Sequence, residues 1–100
     1  MTIPDFGDNV CIKDTPLTRE NGLAGERGVV YGITTPSATG ISFIGTSKQD
    51  VAFNIHFEHR KGEFWFAPEL VQFVDHNAGL TVTIGEKELI RRSDGGWDKR

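Results

Sequence analysis

The most constraining feature of this sequence is a strict alternation of apolar and polar residues over positions 53–58. One set of alternate positions holds Phe53, Ile55 and Phe57, and the other holds Asn54, His56 and Glu58. Because successive side chains of a β-strand point to opposite faces of a sheet, this pattern predicts a strand with one buried and one exposed face.

The rest of the chain has the same character. Short runs rich in Val, Ile, Phe and Tyr are each closed by Gly, Pro, Asn or Asp within about ten residues, which is typical of all-β proteins. We predict strands over residues 8–13, 28–34, 41–45, 51–58, 63–67 and 71–75. Residues 14–27 contain Pro16, Asn21-Gly22 and Gly25, so we predict a long loop there, and Pro68 to Leu70 suits a single helical turn opened by proline.

A change of pattern follows His76, where Asn77-Ala78-Gly79 is typical of a hinge. Three short segments come next, over residues 80–84, 87–92 and 97–99, with turn signals at Gly85-Glu86 and Asp94-Gly95. Two-residue turns would place Val82 opposite Leu89, Arg92 opposite Trp97 and Arg91 opposite Asp98. The sequence therefore predicts two parts, a barrel over residues 1–76 and a β-hairpin or meander extension over residues 77–100, packed on or beside the barrel.

Composition limits the classes of function. The chain has 100 residues, 37% of them hydrophobic and 25% charged, and carries a net charge of -3. One compact domain is expected, and a large multi-domain enzyme is excluded. Cys11 is the single cysteine, which excludes an internal disulfide and a cysteine-rich zinc site and favours a reducing, cytoplasmic location. No apolar run suits a membrane span, and the first residues do not resemble a signal peptide.

Residue types with catalytic or metal-binding chemistry are few. In His56-Phe57-Glu58-His59 the two histidines would point to opposite faces of a strand, so the spacing does not suit a metal site. Nothing in the sequence marks Cys11 as an activated thiol. We therefore expect a protein that is not an enzyme and that has no cofactor.

Four segments of residues 1–76 resemble the order of elements in small SH3-like barrels. These are Phe6-Gly7-Asp8-Asn9-Val10-Cys11-Ile12, Leu23-Ala24-Gly25-Glu26-Arg27-Gly28-Val29-Val30, Phe53-Asn54-Ile55-His56-Phe57 and Trp65-Phe66-Ala67-Pro68-Glu69-Leu70-Val71. Within that class, the pattern of glycines and β-branched residues is similar to that of KOW-type domains and of the variable chain of ferredoxin-thioredoxin reductase. It is also similar to that of a small accessory subunit of photosystem I and of the barrel of the nitrile hydratase beta subunit. The resemblance implies an all-β, SH3-like fold and an accessory or recognition role.

Charge distribution separates the functions that such barrels perform. Residues 1–76 hold six Lys and Arg against ten Asp and Glu, which disfavours nucleic acid as a partner. The opening segment also lacks the aromatic-rich motif of SH3 domains that bind polyproline. We expect a protein-interaction or accessory domain with a protein partner. The alternatives are a KOW-type nucleic-acid-binding module and an accessory subunit of a redox or metalloenzyme complex.

A partner-binding surface is predicted on the polar side of the central hairpin. A four-residue turn over residues 59–62 would place Phe57 opposite Phe64, Ile55 opposite Phe66 and His56 opposite Trp65. Trp65 then lies on the outer face, and we expect it to form the surface with His56, Asn54 and Tyr31, because tryptophan is enriched at interface hot spots. The alternative is that Trp65 packs under residues 77–100 or under the loop over residues 36–48.

Overall fold

The structure is a computed structural model that describes residues 3–100, and it is mostly β. A five-stranded antiparallel sheet is built from β1 (Asn9–Ile12), β2 (Arg27–Thr34), β3 (Ala52–His56), β4 (Trp65–Phe66) and β5 (Val71–Asp75). The strand order is β4-β3-β2-β1-β5, so the first strand pairs with the last strand of the sheet. No hydrogen-bonded ladder in the described part of the chain joins β4 to β5, and the sheet does not close. The all-β prediction is confirmed at this level.

The predicted long loop after β1 contains a short helix, α1 (Pro16–Glu20), so the prediction of a loop without helix was wrong there. Thr15 caps this helix, since its hydroxyl accepts from the Thr18 amide at 3.1 Å while Thr18 Oγ1 accepts from the Thr15 amide at 2.9 Å. Proline suits the first helical position, because an N–H group there would have no partner within the helix and proline has none. Breakers further along the loop confine the helix to a little over one turn.

The segment between β2 and β3 also differs from its prediction. It holds a second short helix, α2 (Pro36–Thr39), and of the strand predicted over residues 41–45 an isolated parallel bridge between Ile44 and Phe66 remains. The Ile44 amide donates to the carbonyl of Trp65, and the Ala67 amide donates to the carbonyl of Ile44, both at 2.8 Å. Ile44 thus covers the free edge of β4. The helical turn predicted after β4 is confirmed as a 3-10 turn over Pro68–Leu70.

The core lies on the inner side of the five-stranded sheet, as the alternation predicted. Phe53, Ile55 and Phe57 are all buried. The buried core cluster consists of Val10, Ile12, Leu23, Val30, Phe53, Ile55, Phe57, Phe66 and Val71. Inward positions come from every strand, and Leu23 comes from the loop that follows α1.

The pairing of β3 with β4 differs from the prediction by two residues. Phe53 lies opposite Phe66 and Asn54 opposite Trp65, because the connection is longer than the four-residue turn and the Ile55 amide bonds the carbonyl of Phe64 at 2.9 Å. A shift of two residues keeps every side chain on its predicted face.

A separate three-stranded antiparallel sheet follows, formed by β6 (Thr81–Ile84), β7 (Lys87–Arg91) and β8 (Trp97–Lys99) in that order. Val82 pairs with Leu89, as predicted. No helix within residues 3–100 is long and apolar enough to cross a membrane.

The last hairpin has a register one residue away from the prediction. Arg91 pairs with Trp97 and Ile90 with Asp98, and the Arg92 amide donates to the carbonyl of Gly96 at 2.8 Å. The loop therefore spans three residues, with Gly95 at a φ of +91°. Because a one-residue shift exchanges the faces of a strand, Arg91 takes the position over Trp97 that the sequence had assigned to Arg92.

Candidate functional site

The four residues predicted to bind a partner lie on one side of the five-stranded sheet. Asn54 is directly opposite Trp65, His56 follows Asn54 by two positions on β3, and the ring of Tyr31 is stacked on that of His56. These four residues are called the outer face below. The structure brings them together, although with a different pairing from the predicted one, since His56 lies opposite Val29 and not opposite Trp65.

Tyr31 and His56 form an aromatic pair. Their ring centroids are 4.5 Å apart and their planes differ by 5°. Tyr31 lies where the register of β2 shifts between Val30 and Gly32, and such a bulge re-aims side chains. Tyr31 is 50% exposed and His56 is exposed, so each ring presents its free side to solvent. The pair offers a flat, partly polar surface for stacking.

The indole of Trp65 extends from β4 across Asn54 toward β2. A methyl group built on Gly32 would lie 3.6 Å from Cη2 of Trp65, and Nε1 of Trp65 donates to the Glu63 carboxylate at 3.4 Å. Trp65 is half-buried, so residues 77–100 do not enclose it completely. The absence of a side chain at Gly32 leaves a gap on β2 next to the indole.

A shallow depression of about 380 Å³ continues the outer face beside His56. Val29 and Val74 contribute apolar walls, and Arg27 and Glu58 contribute one charge of each sign. Within residues 3–100 no group of three His, Cys, Asp or Glu side chains is placed to hold a metal ion. The residues on this side offer stacking, apolar contact, hydrogen bonding and one charge of each sign.

Cys11 lies on the same side of the sheet, further from Trp65. It is opposite Arg27 on β2 and opposite Gln72 on β5, and it is half-buried. Its thiol donates to the carbonyl of Gly25 at 3.6 Å. The prediction that this side chain points away from the core is confirmed by the alternating burial of β1.

Sequence reasoning missed a buried polar cluster, which we call the junction, formed by Asp8, His76 and Arg91. The Asp8 side chain is completely buried and Arg91 is 3% exposed. Oδ1 of Asp8 accepts from Nη2 of Arg91 at 2.6 Å and from Nδ1 of His76 at 2.9 Å, and Oδ2 accepts from the Asp5 amide at 2.8 Å. A second guanidinium nitrogen donates to the carbonyl of Phe6. The junction ties the start of β1 to the end of β7.

The junction gave little local signal. Asp8 and Arg91 are 83 residues apart in the chain, and neither neighbourhood alone requires a buried charge. The available hint was that Arg91 directly follows the apolar residues Leu89 and Ile90. A charge that is buried with such neighbours needs a partner of opposite charge.

Comparison of the chain with protein-family models, with curated proteins and with solved structures found no match in any of the three.

Proposed function

We propose that the chain is a non-enzymatic protein-interaction or accessory domain of the SH3-like class, which binds a protein partner through the outer face. The observation that carries this proposal is the exposed Tyr31–His56 stack on the same side of the sheet as the half-buried indole of Trp65. Aromatic side chains give large contact areas at low entropic cost, and they are enriched where proteins bind one another.

The topology supports the SH3-like part of the proposal. Four strands follow one another as neighbours, a 3-10 turn comes next, and the fifth strand returns to pair with the first. The connections after β1 and β2, over residues 13–26 and 35–51, are the two longest between strands of this sheet. Fold alone does not define function, so the outer face carries the functional part.

The charges on and around the five-stranded sheet favour a protein over a nucleic acid as the partner. Arg60, one of the few cations there, is engaged by the Glu26 carboxylate at 2.8 Å and by the carbonyl of Gly22 at 3.0 Å. Around the outer face, Arg27 is accompanied by Glu58 and Glu63, so residues 3–100 form no basic track there for a phosphate backbone.

The test is partner capture with tagged full-length protein from the source cell, in wild type and in Trp65→Ala and Tyr31→Ala variants. Ile84→Ala is the matched control, because Ile84 is a 61% exposed apolar residue on the other sheet. For a hot-spot residue we expect the captured partner to bind at least about thirtyfold more weakly to Trp65→Ala. Thermal unfolding of each variant separates lost binding from lost folding.

Specific outcomes contradict the proposal. Capture that survives both aromatic substitutions in folded protein would exclude the outer face as the binding surface. A salt-dependent affinity for RNA or DNA, lost in the Arg27→Ala variant, would favour the nucleic-acid alternative.

A further inference from the structure

A second polar depression, of about 390 Å³, lies where the two sheets meet, away from Trp65. We call it the junction depression, and it is lined by Asn9, Asp75, His76, Asn77, Ala78 and Ser93. Its lining combines the end of β5, the connection between the two sheets and the loop before β8.

His76 is held in this depression by contacts on several sides. Nδ1 of its ring is 2.9 Å from Oδ1 of buried Asp8, and the ring of Phe73 meets it at an angle of 61° with centroids 4.9 Å apart. A methyl group on Gly95 would lie 3.0 Å from Cε1 and Nδ1 of His76, so the loop backbone packs against the ring edge. The imidazole therefore has a fixed position.

The hydrogen bond to Asp8 also fixes the chemistry of the neutral ring. In the neutral ring, a proton on Nδ1 serves the carboxylate at 2.9 Å, which is closer than Nη2 of Arg91 at 3.4 Å, so that Nε2 carries the lone pair. Nε2 has no hydrogen-bond partner among residues 3–100. His76 thus offers one oriented acceptor to a ligand.

Asp75 adds a negative charge at the same place. Its Oδ1 accepts from Nδ2 of Asn9 at 2.7 Å and from the amide of Asn77 at 2.8 Å, while Oδ2 makes no hydrogen bond within the described part of the chain. The bond from Asn9, then that from the Asn77 amide, holds the pKa of Asp75 below its usual value, so the carboxylate is charged at neutral pH.

The nearby cations leave that charge unneutralised. Arg91 is engaged by buried Asp8, and no salt bridge within residues 3–100 involves Asp75. Arg27 and His76 act on the Asp75 carboxylate only through space. The depression thus combines a free carboxylate oxygen with an oriented nitrogen lone pair.

We propose that the junction depression binds a protonated amine, carried either by a small molecule or by a lysine side chain of a protein. An ammonium group has three donors and no acceptor, which complements Oδ2 of Asp75 and Nε2 of His76. A metal ion fits less well, because no third His, Cys, Asp or Glu side chain within residues 3–100 completes a ligand set. This inference does not depend on the outer face.

The experiment is an NMR titration of the full chain with two probes. Putrescine represents a free amine, and a glycine peptide with one central lysine represents a protein side chain, with the norleucine peptide as its neutral match. We expect saturable shifts of the His76, Asn77 and Ser93 signals with the charged probes and none with norleucine. The probe that binds more tightly identifies the source of the amine.

Matched variants test the role of the carboxylate. Asp75→Asn can still accept from Asn9 but removes the charge, and we expect it to weaken amine binding about tenfold. Glu86→Gln removes the same charge at the exposed tip of the β6–β7 hairpin and should leave the affinity unchanged. Equal affinity in Asp75→Asn and wild type, equal binding of the norleucine peptide, or absence of saturable shifts at His76 would each overturn the proposal.

Discussion

Nine apolar side chains form the buried core cluster of the five-stranded sheet, whereas in residues 77–100 the one buried residue is Arg91. The larger sheet excludes water with Phe, Ile, Leu and Val side chains. The smaller sheet leaves Val82, Leu89 and Ile90 partly exposed, and its most enclosed group is a guanidinium. Two sheets of one short chain thus depend on different interactions.

This difference has an energetic consequence. Buried apolar area stabilises a fold in proportion to its size, and a buried ion pair gains little net free energy because both charges lose their hydration. Breaking such a pair is costly, since one charge remains buried without its partner. The five-stranded sheet should therefore be stable on its own core, and the three-stranded sheet should depend on the junction.

Aromatic contacts complete the attachment of the smaller sheet. The Arg91 guanidinium carbon lies 4.9 Å from the centre of the Trp97 ring, and that ring lies 6.0 Å from the ring of Phe6. Nε of Arg91 is buried without a hydrogen bond in the described residues, so the arrangement is not fully satisfied. The attachment therefore combines an ion pair, a cation–π contact and a contact between two aromatic rings.

The largest expected effect comes from removing a ring of the core. Phe57→Ala should lower the free energy of unfolding by about 3 to 5 kcal/mol, because Phe57 is 3% exposed and its ring contacts those of Phe64 and Phe66. Denaturant unfolding followed by circular dichroism measures this change. A loss below about 1 kcal/mol would mean that Phe57 does not support the larger sheet.

A smaller effect, about 3 kcal/mol, is expected from Asp8→Ala, which leaves Arg91 buried without a carboxylate. The double variant Asp8→Ala/Arg91→Met should recover part of this loss, because the uncompensated charge is then removed. Denaturant unfolding of both single variants and the double variant gives the coupling free energy. A coupling near zero would show that the two side chains do not stabilise each other.

A substitution on the outer side of β1 tests a position that should contribute little to stability. Cys11→Ser should alter the free energy of unfolding by less than about 1 kcal/mol, since the thiol is half-buried and makes weak hydrogen bonds. The same chemical denaturation serves as the measurement. A folded Cys11→Ser protein that no longer captures its partner would indicate a functional thiol.

The smallest expected effect is a pH dependence at the boundary between the two regions. Because the Asn9 hydrogen bond lowers the pKa of Asp75 from its usual 3.8, Asp75 contributes stability above that pH. The contribution is lost as the pH falls through the lower pKa of the folded state. Asp75→Asn should flatten the acid side of the stability profile, and an unchanged profile would contradict this assignment.

Local patterns predicted the five-stranded sheet well and the second sheet less well. The alternation from Phe53 to Phe57 specifies its own buried face, and an error of two residues in the β3–β4 pairing did not change that face. The prediction for the β7–β8 hairpin failed by one residue. The loop has three residues and not two, and this length places Arg91 inward. Turn signals at Asp94-Gly95 do not distinguish these two lengths.

The outer face and the junction differ in the same way. Asn54, His56 and Trp65 share a face through strand periodicity, so the sequence could group them. Asp8 and Arg91 meet through the docking of two sheets, and no local period carries that information. The helix that Thr15 caps was also missed, because Pro16, Asn21-Gly22 and Gly25 led to the prediction of a loop.

Native-state hydrogen exchange tests the central claim most directly, namely that the smaller sheet opens independently of the larger core. We predict that backbone amides of β7 exchange through an opening at least about 2 kcal/mol cheaper than that of β2 and β3 amides, with a weaker denaturant dependence. Asp8→Ala should widen this gap. Equal opening free energies and equal denaturant dependence for β7, β2 and β3 would contradict the account, because the two sheets would then unfold as one cooperative unit.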